Sequence, residues 1–127
     1  MLTHNPFPEA AMSVSVRAKE EIPFIVGYLA CKFNGEVIDK FGEETNKIEE
    51  NLKNIVKEYL ETYRNLGELS VGLPKEILMS TTELFILIRL FYNEELFQAA
   101  ILKSEANLGF TRFKLQEYVR ELSTKTA

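Results

Sequence analysis

The sequence predicts an α+β domain in which an antiparallel five-stranded sheet lies between helices. Three observations carry this expectation. Residues 22–33 form a nearly continuous apolar run rich in β-branched and aromatic side chains, followed by Asn34-Gly35 and a second strand-like segment. Residues 44–66 repeat their apolar positions at intervals of three and four, as a helix does. Three further strand-like runs then follow, with separators short enough only for antiparallel hairpins.

The chain has 127 residues, a length that predicts one domain, and 46% of them are apolar, enough for a core without cross-links. Acidic residues outnumber basic ones by 19 to 15, so no basic surface is left to neutralise nucleic-acid phosphates or to hold an anionic membrane. The most apolar window, residues 84–102, is interrupted by Arg89, Glu94 and Glu95, which argues against membrane insertion. Cys31 stands alone, so neither an internal disulfide nor a cysteine-based zinc site can form. A reducing compartment follows. With no N-terminal stretch joining basic residues to an apolar run, the expected location is cytoplasmic.

Residues 1–13, with His4, Pro6 and Pro8, show no period and are expected to form a flexible arm ahead of a single domain at 14–127. Residues 13–21 begin with strand-like alternation and end helix-like. Any helix there must stop before Pro23. Residues 22–33 suit a central strand covered on both faces. Asn34-Gly35 predicts a two-residue type I′ hairpin, which needs positive φ at both residues. The return strand, 36–41, alternates with polar residues and reads as an edge.

In the long helix, Ile48, Leu52, Ile55, Val56, Tyr59, Leu60, Tyr63 and Leu66 make a stripe. It spans roughly 140° at 100° per residue, wider than the ~100° that one packing surface requires. The excess calls for a second partner, such as a second subunit. Gly67 is placed to end the helix as a C′ residue. The next strands are 76–80, 84–92 and 96–103. Arg89, inside the most apolar of them, is expected near a strand end or paired with a carboxylate, with a ligand-facing arginine as the alternative.

The last helix, 107–122, carries Leu108, Leu115, Tyr118, Val119 and Leu122 on one stripe, with Phe110 and Phe113 on the other side of the wheel. Those two rings either fold back, touch the N-terminal segment or form an exposed partner patch. The junction "SEANLGFTR" (104–112) looks at first like an anion-binding turn, but it has no lysine and only one glycine. The favoured reading is structural. Ser104 or Asn107 caps the helix, Leu108 enters the core and Gly109 lets the helix start lie close to the sheet.

Chemistry-bearing residues are scarce. His4 is the only histidine, Cys31 reads as a small buried hydrophobe, and no carboxylate pair stands out. No phosphate-loop or dinucleotide glycine pattern occurs. No catalytic residue, metal ligand or cofactor is assigned, and the expectation is a binding or scaffolding protein, not an enzyme.

Two segments resemble the Roadblock-type domain family. Residues 22–39, with Pro23, Ile25, Gly27, Asn34 and Gly35, are similar to its opening strand and turn. Residues 101–112, with Ala106, Asn107, Leu108, Gly109 and Arg112, are similar to its closing strand-to-helix junction. The likeness spans about residues 20–123. It departs at the first helix, where Ser15, Ala18 and Lys19 stand in place of a leucine-rich stripe, so that helix is expected to be short or displaced.

The resemblance implies a profilin-like α/β/α sandwich, ordered (α)ββαβββα, that pairs with itself. The homodimer would join edge strands through Ile77, Leu78 and Met79 and pack long helices through Leu52, Ile55, Tyr59 and Tyr63. It further implies a non-catalytic regulator or scaffold for a Ras-like small GTPase. A light-chain-like structural adaptor is the first alternative. A small-molecule sensor, with Phe85, Phe91, Phe97 and Tyr92 lining a pocket, is the second.

Overall fold

The computed structural model describes residues 12–68 and 72–125, with the side chains of 65–68 and 125 left aside. The elements run α1 (Val14–Glu21), β1 (Ile25–Lys32), β2 (Val37–Phe41), α2 (Glu43–Glu68), β3 (Glu76–Ser80), β4 (Leu84–Phe91), β5 (Leu96–Lys103) and α3 (Leu108–Lys125). The five strands form one antiparallel sheet in the order β2-β1-β5-β4-β3. Both edges are therefore short five-residue strands.

Alternation along each strand divides the core in two. On one face Tyr28, Ala30, Leu87, Phe91, Ala100 and Leu102 meet Val14 and Ala18 of α1 and Leu115, Tyr118 and Leu122 of α3. On the other, Leu29, Cys31, Ile88, Leu90, Phe97 and Ala99 meet Leu52 and Val56 of α2. This is the expected layered α+β architecture.

The first helix forms despite its weak pattern. Ser13 caps it, accepting from the Val16 N–H, and Val14, Ser15 and Ala18 are buried. Ser13 is the N-cap of α1; residues 1–11, with His4, Pro6 and Pro8, lie outside the described residues. The helix stops with Ile22 as its C-cap, so β1 starts three residues later than expected, after Phe24 turns at φ 66°. Charged side chains tie α1 to α3. Arg17 pairs with Glu121, while Glu21 accepts from the Tyr118 hydroxyl at 2.7 Å and pairs with Lys114 at 3.1 Å. Burial pushes the Glu21 carboxyl up, but Tyr118, Lys114 and Arg17 together bring it below the usual carboxylate range.

The β1–β2 connection differs from the expected type I′ turn. Gly35 has φ +97°, but Asn34 is not in the positive-φ region. The Gly35 N–H reaches the Lys32 carbonyl at 2.9 Å, and the Lys32 N–H reaches the Glu36 carbonyl at 2.9 Å. This is a three-residue loop, a type I turn closed by a glycine bulge. Asn34 acts through its side chain, which accepts from the Glu36 N–H at 2.9 Å.

At Gly27 a missing Cβ makes room for a neighbouring helix. A Cβ there would lie 2.4 Å from Thr45 Oγ1 and 3.0 Å from Ile101 Cδ1. Thr45, fully buried in the first turn of α2, donates to the Phe41 carbonyl. The glycine lets the helix start press onto β1. Gly67 lies inside α2, which runs on to Glu68, so the glycine does not end the helix; helix limits shift by a residue or two where the last turn frays.

At the other end of the chain, Asn107 is the cap of α3. Its side chain accepts from the Phe110 N–H at 2.9 Å, while Ser104 bonds Glu105 instead. Gly109 does not bring the helix close to the sheet as expected. A Cβ there would touch only Asn107 Oδ1, at an ordinary 3.4 Å. Leu115, Tyr118 and Leu122 hold α3 on the sheet by apolar burial, and a buried polar bridge adds to them: Tyr28 donates to Gln98 at 2.6 Å, and Gln98 donates to the Leu115 carbonyl at 2.8 Å. Each such bond contributes about 1 kcal/mol, and orphaning either partner costs more.

Candidate partner-binding surface

Of the residues singled out for partner contact, Ile77, Leu78 and Met79 lie on the edge strand β3, Ile55, Tyr59 and Tyr63 lie half-buried on α2, and Leu52 is buried against the sheet. β3 pairs with β4 in the register Glu76↔Arg89, Ile77↔Ile88, Leu78↔Leu87, Met79↔Ile86 and Ser80↔Phe85. Among the described residues nothing pairs with its other side. Ile77 and Met79 face α2 and are only half-buried, beside an equally half-buried Ile86. Leu78 faces the opposite layer and is 42% exposed.

The stripe of α2 is divided along its width. Leu52 and Val56 are sealed against the sheet, whereas Ile48, Ile55, Tyr59, Leu60 and Tyr63 remain half-buried. The side chain of Leu66 lies outside those described. Tyr59 donates to Tyr63 at 3.0 Å, with the rings 4.3 Å apart. That hydrogen bond pushes the Tyr59 hydroxyl up to about 12, so it stays neutral at ordinary pH. The wide stripe thus leaves apolar surface uncovered next to the uncovered part of β3 and β4.

Arg89 and Arg112 converge on one carboxylate. Glu76, the first residue of β3, receives Arg112 Nε at 2.7 Å and Nη2 at 2.9 Å, and Arg89 Nη1 at 2.8 Å. The two-pronged Arg112 contact is the stronger geometry. Arg112 holds the Glu76 carboxyl below the usual carboxylate range, and Arg89 adds to this against the opposing effect of burial. Arg112 therefore carries a structural pair that anchors α3 to the edge strand. Sequence reasoning found both arginines but not their shared partner, because no local spacing links position 76 to position 112.

The aromatic side chains proposed to line a pocket do not meet. Phe91 and Phe85 pack in the α1/α3 layer, Phe97 and Tyr92 in the α2 layer. A groove of about 550 Å³ lies instead beside α3 and the β4–β5 turn, lined mostly by polar and charged groups such as Glu94, Glu117 and Arg120. Phe110 and Phe113 do not fold back. They are 41% and 58% exposed, with ring centres 6.4 Å apart. Cys31 is buried, and burial raises its thiol to about 11, as for an inert core cysteine. Among the described residues no group of three or more His, Cys, Asp or Glu side chains could hold a metal, and no helix is long and apolar enough to cross a membrane.

No protein-family model matches the chain, and no curated protein does. Solved structures do. The gliding protein MglB from Thermus thermophilus aligns with a TM-score of 0.70 at 12% identity, over 96% of this chain and 92% of that one. A Roadblock/LC7 domain from Streptomyces avermitilis aligns at 0.64 and 10% identity, over 86% and 91%. The chain has the Roadblock/LC7 fold. An MglB described as having a tetrameric arrangement aligns at 0.69 and 14% identity, over 94% and 89%. The Roadblock/LC7 assignment rests on the β2-β1-β5-β4-β3 sheet with α2 on one face and α1 and α3 on the other, since identity this low carries the fold alone.

Proposed function

We propose that the protein is a non-catalytic, dimeric regulator or scaffold of a Ras-like small GTPase, acting in the cytoplasm. One observation carries this reading: on a Roadblock/LC7 fold, an open edge strand adjoins a helix whose apolar stripe is only half covered. An unpaired edge bearing Ile77, Leu78 and Met79 is an aggregation hazard unless something pairs with it. A second copy satisfies both needs at once. Strand joins strand, Ile55, Tyr59 and Tyr63 of α2 find cover against the partner, and a two-fold axis makes the contact isologous.

A gliding protein and a tetrameric assembly among proteins of the same fold support a regulatory, self-associating role. A protein of this kind acts on a GTPase by ordering the GTPase's own switch loops. That role asks no catalytic side chain of this chain. Sedimentation at micromolar concentration is expected to show a dimer. Capture with Ras-like GTPases in both nucleotide states is expected to show binding that depends on the state. A monomer overturns the dimeric reading. Capture of a motor or scaffold protein with no GTPase favours the light-chain-like adaptor.

A further inference from the structure

The backbone of β3 decides how two copies can meet. The Leu90 N–H bonds the Lys75 carbonyl at 3.0 Å, and the Thr81 N–H bonds the Leu84 carbonyl at 2.8 Å. Both pairs lie in the β3–β4 register, so positions 75, 77, 79 and 81 turn their backbone groups toward β4. The N–H and C=O groups of Glu76, Leu78 and Ser80 point to the open side.

Two copies related by a two-fold axis must set outward groups opposite outward groups. An axis that engages at least two of Glu76, Leu78 and Ser80 passes through Ile77, Leu78 or Met79. With the axis at Leu78, all three outward residues find partners, Leu78 opposite Leu78 and Glu76 opposite Ser80. With the axis at Ile77, only Glu76 and Leu78 pair, which sets a carboxylate against a leucine. With the axis at Met79, only Leu78 and Ser80 pair. The side chains favour the same choice. An axis at Leu78 joins the two half-exposed leucines on the α1/α3 face and alternates Ile77 with Met79 across the junction on the α2 face. Direct cross-strand neighbours of matched character are the unit of sheet stabilisation.

We propose that a second copy of this chain pairs with β3 in a register centred on Leu78. This rests on the self-pairing reading above and adds its register. The experiment is a cysteine scan on the full chain, since the native Cys31 is buried and does not compete. In the proposed register Leu78→Cys places two Cα atoms about 5.5 Å apart, within disulfide reach. Ile77→Cys or Met79→Cys sets like cysteines diagonally, about 7–8 Å apart and out of reach. A mixture of those two variants brings unlike cysteines directly opposite, about 4.5 Å apart.

Oxidation is therefore expected to cross-link Leu78→Cys to near completion, Ile77→Cys and Met79→Cys little, and their mixture readily. Self-cross-linking of Ile77→Cys or of Met79→Cys, with Leu78→Cys silent, moves the axis and overturns the register while leaving the dimer intact. No cross-link in any variant of a dimer seen by sedimentation overturns pairing through β3. A monomer overturns the underlying reading itself. These positions are half-buried or exposed, so folding is not at risk, and circular dichroism of each variant checks it.

Discussion

The two edges of the sheet have the same length and opposite characters. On β2, Asp39 points to the α1 layer and accepts the Ser15 N–H at 2.8 Å, while Lys40 points to the α2 layer and pairs with Glu49 at 2.7 Å. A register shift between Ala30 and Cys31 marks a bulge in the β1–β2 ladder. Each charge is held by a helix that overhangs the strand. Charges on both faces together with a bulge are the means by which edge strands resist pairing. On β3 the central residues are Ile77, Leu78 and Met79, and the only charge, Glu76, is drawn to Arg89 and Arg112 of its own chain. One edge carries these safeguards and the other lacks them, and the proposed partner surface lies on the edge that lacks them.

The largest expected effect comes from giving β3 the character of β2. Leu78→Lys sets two ammonium groups opposite each other in the Leu78-centred register, where like charges repel across the junction. Its side chain is 42% exposed in the single copy, so the monomer tolerates the change. Sedimentation equilibrium is expected to show dimer affinity reduced at least roughly tenfold, with the unfolding midpoint of the monomer nearly unchanged. An unchanged dimer would mean that the open edge is not the contact.

On the closed side the corresponding break is Gly27→Ala. The added carbon would lie 2.4 Å from the buried Thr45 hydroxyl, so that side chain has to move and the start of α2 loses its bond to the Phe41 carbonyl at the end of β2. Overpacking of this kind costs about 1–3 kcal/mol. The expected readout is a melting temperature lower by several degrees, with new exposure of the β2 edge in amide exchange.

A smaller effect concerns the charge on the open edge. The Glu76 carboxyl is held low by Arg112 and Arg89, so its ion pairs stabilise the fold above the unfolded carboxylate value of about 4.3 and are lost as pH falls through the depressed folded value. Glu76→Gln is expected to be less stable than the natural chain at pH 7, and the gap should close on acidification below about pH 4. Urea titrations at the two pH values test it. A gap that persists in acid would assign the loss to packing and not to charge.

How much of this was legible beforehand differs between the edges. The strand spans 76–80 and 96–103 follow from apolar runs and short separators, both local signals, and the structure has them at the same limits. The wide stripe of α2, with its half-buried Ile48, Ile55, Tyr59, Leu60 and Tyr63, was legible because periodicity is also local. The Glu76 triad was not legible, since residues 76, 89 and 112 meet only through the fold. The guard on β2 was half legible: the polar alternation marked an edge, but not that Asp39 would receive the first turn of α1. The type I′ reading of Asn34-Gly35 failed because the dipeptide signals a tight hairpin without fixing whether the turn has two residues or three.

The smallest effect sharpens the contrast between the two glycines that flank these edges. Gly27 backs the closed edge and has no room. Gly109 opens α3, one turn before the Arg112 that anchors β3, and a Cβ there meets only Asn107 Oδ1 at 3.4 Å. Its φ is not positive, so alanine adopts the same backbone without strain. Replacing glycine by alanine in a helix gains roughly 0.5–1 kcal/mol when nothing is displaced. Gly109→Ala is therefore expected to raise the unfolding midpoint slightly and leave the dimer affinity alone, as read by thermal melts and sedimentation of the same samples. A loss of stability instead would show that α3 approaches a neighbour at this turn, restoring the close-packing role that the sequence suggested for Gly109. A change in dimer affinity would extend the open edge from β3 onto the start of α3, where Phe110 and Phe113 are exposed.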